Sequence, residues 1–154
     1  MKKYELYRET VLPITSLEAW DFFSNPSNLA KITPVEMDFK VMTKDLPAHI
    51  HNGLVIEYLV RPLARIPLKW ISQIRAVNAP YSFVDEQLKG PYAYWHHEHI
   101  FEEKGGSVLM KDKVTYAISL GWLGQLINQL IVRKKLDQIF DYRTEQVKAI
   151  FKSK

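Results

Sequence analysis

Residues 90–116, GPYAYWHHEHIFEEKGGSVLMKDKVTY, can fold in few ways. Successive side chains of a β-strand point to opposite faces of a sheet. One arm of this segment therefore places Trp95, His97, His99 and Phe101 together, and the other places Met110, Asp112, Val114 and Tyr116 together. Lys104-Gly105-Gly106 separates the arms with turn residues. The segment reads as a long β-hairpin whose one side mixes large apolar groups with titratable ones. A side built for packing alone would be apolar, because an unpaired buried polar group costs about 1–3 kcal/mol. Either these groups satisfy one another or they border a cavity that uses them.

The rest of the chain supplies more strands and a few helices. Residues 4–12, 37–43, 54–61, 68–77 and 82–88 are strand-like, punctuated by Pro13, by Gly53, by the connection 62–67 and by Asn78-Ala79-Pro80. Ser16 is a good N-cap for a short helix carrying Leu17, Trp20 and Phe23, and a second short turn covers 28–32. After the hairpin, Leu123, Leu126, Ile127, Leu130, Ile131, Ile139, Phe140, Val147 and Ile150 recur at three and four residues, which predicts one long helix. Arg133, Lys134, Lys135, Asp137, Asp141, Arg143, Glu145 and Lys148 would form its solvated face. Consecutive antiparallel strands with segregated helices make an α+β fold. A helix that long needs a broad apolar surface to lie on, which the concave side of a curved sheet provides.

Composition removes several function classes. With 154 residues the chain is expected to form one domain, 1–154, with a substantial core. The net charge of +4 is spread along the chain, so nucleic acid is not an expected partner. There is no cysteine, which removes thiol chemistry and fits a cytoplasmic protein. The first residues, MKKYELYRE, hold no apolar stretch of a secretory signal. No apolar run is long enough to span a bilayer, so stable membrane insertion is not expected. At most, Gly121-Trp122-Leu123 could touch a bilayer surface.

The element order is similar to the helix-grip fold of the START and Bet v 1-like superfamily, in which a curved antiparallel sheet wraps a long C-terminal helix. Asn25-Pro26-Ser27-Asn28-Leu29, Ile32-Thr33-Pro34, Trp70, residues 83–87, Gly90-Pro91-Tyr92 and residues 95–101 resemble a bacterial group of ligand-binding SRPBCC proteins near the polyketide cyclase and lipid-transport families. So do Gly105-Gly106, Met110, Asp112, Val114 and Tyr116. The resemblance implies a cavity between sheet and helix. Some such proteins carry a cell-division-inhibitor label tied to an epimerase-like domain; these residues hold no such domain, and the label is not carried over. Relatives tend to have Pro before the last helix, where this chain has Ser119-Leu120-Gly121.

Register turns the pattern into a site. A turn at Lys104-Gly105 would set Glu103 opposite Gly106, His99 opposite Met110, His97 opposite Asp112 and Trp95 opposite Val114. The turn at 90–92 would set Gln87 opposite Trp95 and Asp85 opposite His97. Asp85, His97 and Asp112 would then form one row, in which two carboxylates favour the charged form of an imidazole. Such a row could be a self-satisfied network, the polar end of a ligand cavity, or a proton-transfer pair of His97 and Asp112. Trp70, Trp95, Phe101, Met110 and Tyr116 would be cavity walls, and Asp85, Gln87, His97, His99 and Asp112 would orient a ligand's polar end. His97 and His99 with Asp112 could also ligate zinc, but His-x-His is a common pattern, and no metal or cofactor is expected. His49 and His51 fall in a loop. Three functions stay open: a carrier of a small hydrophobic molecule, a cyclase/aromatase-like enzyme, and a protein-interaction domain.

Overall fold

The computed structural model describes residues 1–62 and 65–152; positions 63 and 64, inside the expected connection 62–67, lie outside them. Strand β1 (Lys3–Leu12) is followed by helix α1 (Ser16–Phe23) and 3₁₀ turns at Pro26–Ile32 and Val35–Met37. Six strands come next: β2 (Lys40–Val41), β3 (Val55–Val60), β4 (Leu68–Asn78), β5 (Ser82–Lys89), β6 (Tyr94–Lys104) and β7 (Ser107–Ala117). The chain ends in α2 (Gly121–Ile127), a π-helical stretch Asn128–Val132 and α3 (Arg133–Phe151), continuous with one another. The seven strands of the described residues form one antiparallel sheet in the order β1-β7-β6-β5-β4-β3-β2. Two register shifts interrupt the β4–β5 pairing, and bulges of this kind bend a strand. The fold is the helix-grip α+β fold. No helix among the described residues is long and apolar enough to cross a membrane.

Four local expectations need correction. Thr15, not Ser16, caps α1: its hydroxyl accepts from Glu18 N at 3.2 Å while the Glu18 carboxylate accepts from Thr15 N at 2.9 Å. That reciprocal pair closes a capping box, which Ser16 could not form without a Glu or Gln three residues on. The strand expected at 37–43 shrinks to Lys40–Val41, because Asp38 takes a left-handed conformation (φ 44°) and turns the chain. The hairpin turn is Gly105-Gly106, with Lys104 opposite Ser107. Both glycines have positive φ (55° and 89°), as a two-residue hairpin turn of this hand demands, and lysine would resist it. The register therefore slips by two: His99 faces Asp112, His97 faces Val114, Phe101 faces Met110 and Trp95 faces Tyr116. A slip of two preserves faces.

The fourth correction is the inward face of the C-terminal helix. It is formed by Gly124, Asn128, Val132, Leu136, Phe140, Arg143, Val147 and Phe151, all buried except the partly buried Val132. Arg143, expected on the solvated face, lies inside. Trp122 (77% exposed), Leu123, Leu126, Leu130 (67% exposed) and Ile131 point out instead. Gly124 is forced: a Cβ there would meet the Ser119 carbonyl oxygen at 2.1 Å. Asn128, at the start of the π stretch, accepts a hydrogen bond from the Tyr116 hydroxyl at 2.8 Å. The first turns thus carry small or polar residues inward and large apolar ones outward.

Candidate functional site

β6 and β7 alternate without a break: Trp95, His97, His99, Phe101, Val108, Met110, Asp112, Val114 and Tyr116 are buried, and their neighbours are not, Ala117 at the strand end aside. Midway along this face, three nitrogens converge on one oxygen of Asp112. His97 Nε2 is 2.7 Å from Oδ1, Arg143 Nη2 is 3.2 Å and His99 Nδ1 is 3.6 Å. The His97 bond is diagonal across the ladder, within reach of long side chains on one face. The two imidazoles stack at 3.8 Å, and Phe83 stacks on the other side of His99 at 4.1 Å.

The electrostatics of this cluster follow from its partners. Burial alone would raise the Asp112 pKa, but the Arg143 guanidinium and the His97 hydrogen bond hold the carboxyl well below the usual range. Burial, with His97 and Arg143 nearby, pushes the His99 pKa well down, so its ring is neutral at pH 7. Arg143 Nη2 lies 3.3 Å from His99 Nδ1 and can only donate. The His99 proton therefore sits on Nε2. His97, His99 and Asp112 offer ligand atoms within 4.8 Å of one another. They do not suit a divalent cation, because Arg143 already occupies both Asp112 Oδ1 and the lone pair of His99 Nδ1.

Asp85 sits on β5 directly opposite His97, as the 90–92 turn predicts. Its environment differs. Burial raises its pKa, offset in part by the Ser72 hydroxyl and by the charges of His97 and Arg143. Its Oδ1 has no hydrogen-bond partner among the described residues.

A cavity of about 490 Å³ lies between the sheet and the C-terminal helix. Its walls are mainly apolar, including Tyr58, Trp70, Tyr92, Trp95, Ile139 and Phe140. Its polar groups gather at Ser72, Asp85, His97 and Arg143, with Thr33 and Lys135 elsewhere on the lining. Ile66 and Leu120, both well exposed, lie on its border and mark a mouth. The volume falls in the range of small-molecule sites.

Of the residues singled out from sequence, Trp70, Asp85, Trp95 and His97 line this cavity. Phe101 and Met110 belong to the core under α1, and Tyr116 packs with Leu6, Val114 and Phe140. His99 and Asp112 lie behind the lining. Gln87 braces the turn before β6, donating to Tyr92 O at 2.8 Å and accepting from Tyr92 N at 3.3 Å. The pairing of β5 with β6 stops one residue short of it, at Glu86 opposite His96. His49 and His51 are exposed. Arg143 joins the site from outside the expected set; its spacing from Leu136, Phe140 and Val147 is the signal that places it there.

No protein-family model matches the sequence, and no curated protein matches it. Solved structures do. Ginseng major latex-like protein 151 from Panax ginseng superposes with a TM-score of 0.69 at 12% identity, over 97% of each chain. A norcoclaurine synthase point mutant from Thalictrum flavumn, solved with a transition-state analogue, gives 0.66 at 13% identity, over 95% of this chain and 94% of that one. A nucleoside-diphosphate sugar epimerase from Corynebacterium glutamicum gives 0.65 at 20% identity, over 92% of this chain but 28% of that one. At these identities the likeness is one of fold. What the chain shares with them is the helix-grip fold.

Proposed function

We propose that this protein binds or carries a small hydrophobic molecule between its sheet and its C-terminal helix. The observation that carries the reading is the 490 Å³ cavity itself, apolar along its walls and polar at one end. A core selected for stability alone would close such a space, because each void costs packing energy. Native mass spectrometry of protein purified without denaturant tests the reading. A discrete co-purifying apolar molecule is expected, and it should be lost in Ile139→Trp, which fills the cavity. A clean apo mass, with no stabilisation by a panel of lipids and aromatics, would sink it.

An enzyme that moves protons with His97 and Asp112 has less support. Asp112 is a poor base, because Arg143 and His97 hold it ionised. The interaction-domain reading has an observation of its own: the outward stripe Trp122, Leu123, Leu126 and Leu130, beside the cavity mouth at Leu120. Large exposed apolar patches mark interaction sites. Sedimentation velocity checks it: self-association that disappears in Trp122→Ser with Leu126→Ser supports that role, and a monomer at all concentrations removes self-association from it.

A further inference from the structure

We propose that the molecule held in this cavity carries a hydroxyl group, gripped at the polar end by Asp85 as acceptor and Arg143 as donor. The inference rests on the cavity being a binding site. Three buried polar atoms at that end have no partner among the described residues: Asp85 Oδ1, His99 Nε2 and Arg143 Nε. The residues that carry them line a second chamber of about 40 Å³, and Asp85 and Arg143 border both spaces. A chamber that small holds a group the size of one water or one hydroxyl.

The chemistry of the three atoms selects the group. Asp85 Oδ1 offers a lone pair. Arg143 Nε offers a proton. His99 Nε2 also offers a proton, because Arg143 occupies the other ring nitrogen. One acceptor with two donors matches a hydroxyl, which donates once and accepts twice. The same set discriminates against charge. A carboxylate would meet the Asp85 side chain, and an ammonium would meet the Arg143 guanidinium. An ether oxygen could accept from Arg143 but would leave Asp85 unpaired, and that mismatch is what gives polar sites their selectivity. All three atoms are sealed from solvent as they stand, so a hydroxyl reaches them only when the side chains at this end shift. The terminal torsion of aspartate is broad and soft, so what resists a turn of the carboxyl toward the larger cavity is its bond from the Ser72 hydroxyl, not the torsion.

The test uses four fluorescent probes with a common apolar body: 1-pyrenebutanol, its methyl ether, 1-pyrenebutyric acid and 1-pyrenebutylamine. Titration into the full chain should show the alcohol binding about ten- to a hundredfold tighter than the ether, the range expected for hydrogen bonds to charged groups. The acid and the amine should be weaker than the alcohol. In Asp85→Leu the alcohol-to-ether ratio should collapse to about one while the ether itself still binds. In Asp85→Asn, which keeps an acceptor and loses the charge, the alcohol should still beat the ether and the acid should gain about tenfold. Equal affinity for alcohol and ether in the native protein, or an unchanged ratio in Asp85→Leu, overturns the hydroxyl assignment and leaves the carrier reading standing. Binding of none of the four overturns both.

Discussion

Asp112 and Asp85 are the same residue type, on the same face of one sheet, two strands apart, and the fold treats them in opposite ways. Asp112 has three nitrogens within 3.6 Å of one oxygen, and its pKa is pushed far down. Asp85 keeps an oxygen with no hydrogen-bond partner among the described residues, and its pKa is raised. Burial costs both of them. Arg143, on the helix laid across the sheet, makes its ion pair with Asp112 at 3.2 Å and acts on Asp85 only through its charge. One carboxylate is structural wiring for the grip between helix and sheet; the other is an uncommitted acceptor beside a cavity. A buried charge therefore says little about function until its partners are counted.

The largest effect should come from breaking the wired end. Arg143→Met or Asp112→Ala leaves its former partner buried and uncompensated, and urea unfolding should show a loss of about 3–5 kcal/mol. A loss below about 1 kcal/mol in both would mean that the cluster does not hold the helix. The pH dependence has a definite sign. The Asp112 pKa is lowered by folding, so its contribution is present above the unfolded value of about 4 and is lost as pH falls below it. The lowered His99 pKa acts in an earlier window. Below about pH 6.5 the unfolded chain takes up a proton that folded His99 refuses, so stability declines there first. His99→Gln should flatten that upper window, seen as a stability-against-pH curve with one acid limb.

Asp85 should behave in the reverse sense. Asp85→Leu removes an unsatisfied buried acceptor and should raise stability at pH 7 by about 1–3 kcal/mol. Its raised pKa favours the protonated form in the folded state, so the gain should shrink as acid protonates the native carboxyl. A destabilised Asp85→Leu, unfolding at lower urea than the native chain, would erase the contrast with Asp112. The smallest effect belongs to the next residue along. Glu86 points to the outer face and pairs with Arg75 at 2.9 Å, half in solvent. Glu86→Gln should change stability by no more than about 1 kcal/mol, and the change should fade at high salt.

Several of these features are legible in the order of the amino acids alone. The alternation of residues 95–101 and 110–116 is reproduced position by position in burial, because a pleated strand has a period of two that nothing in the packing can alter. The pairing of Asp85 with His97 follows from the 90–92 turn. The other turn lies one residue further along than Lys104-Gly105, and that moves Asp112 from His97 to His99 along the ladder. The contact between His97 and Asp112 exists anyway, because long side chains reach the diagonal neighbour. The helix is less legible. Arg143 resembles its charged neighbours in type, and only its phase with Leu136, Phe140 and Val147 sets it apart.

By itself the sequence determined the fold class, the hairpin and the face that would hold the polar groups. These depend on local periodicity and on turn residues, both of which are written in consecutive positions. The tertiary structure decided which carboxylate would be neutralised and which left unpaired, where the cavity would open, and which side of the last helix would face out. Each of those outcomes turns on a partner distant along the chain, 31 residues away for Arg143 and Asp112. A partner at that distance is chosen by the angle at which helix meets sheet, and that angle is a property of the packed molecule.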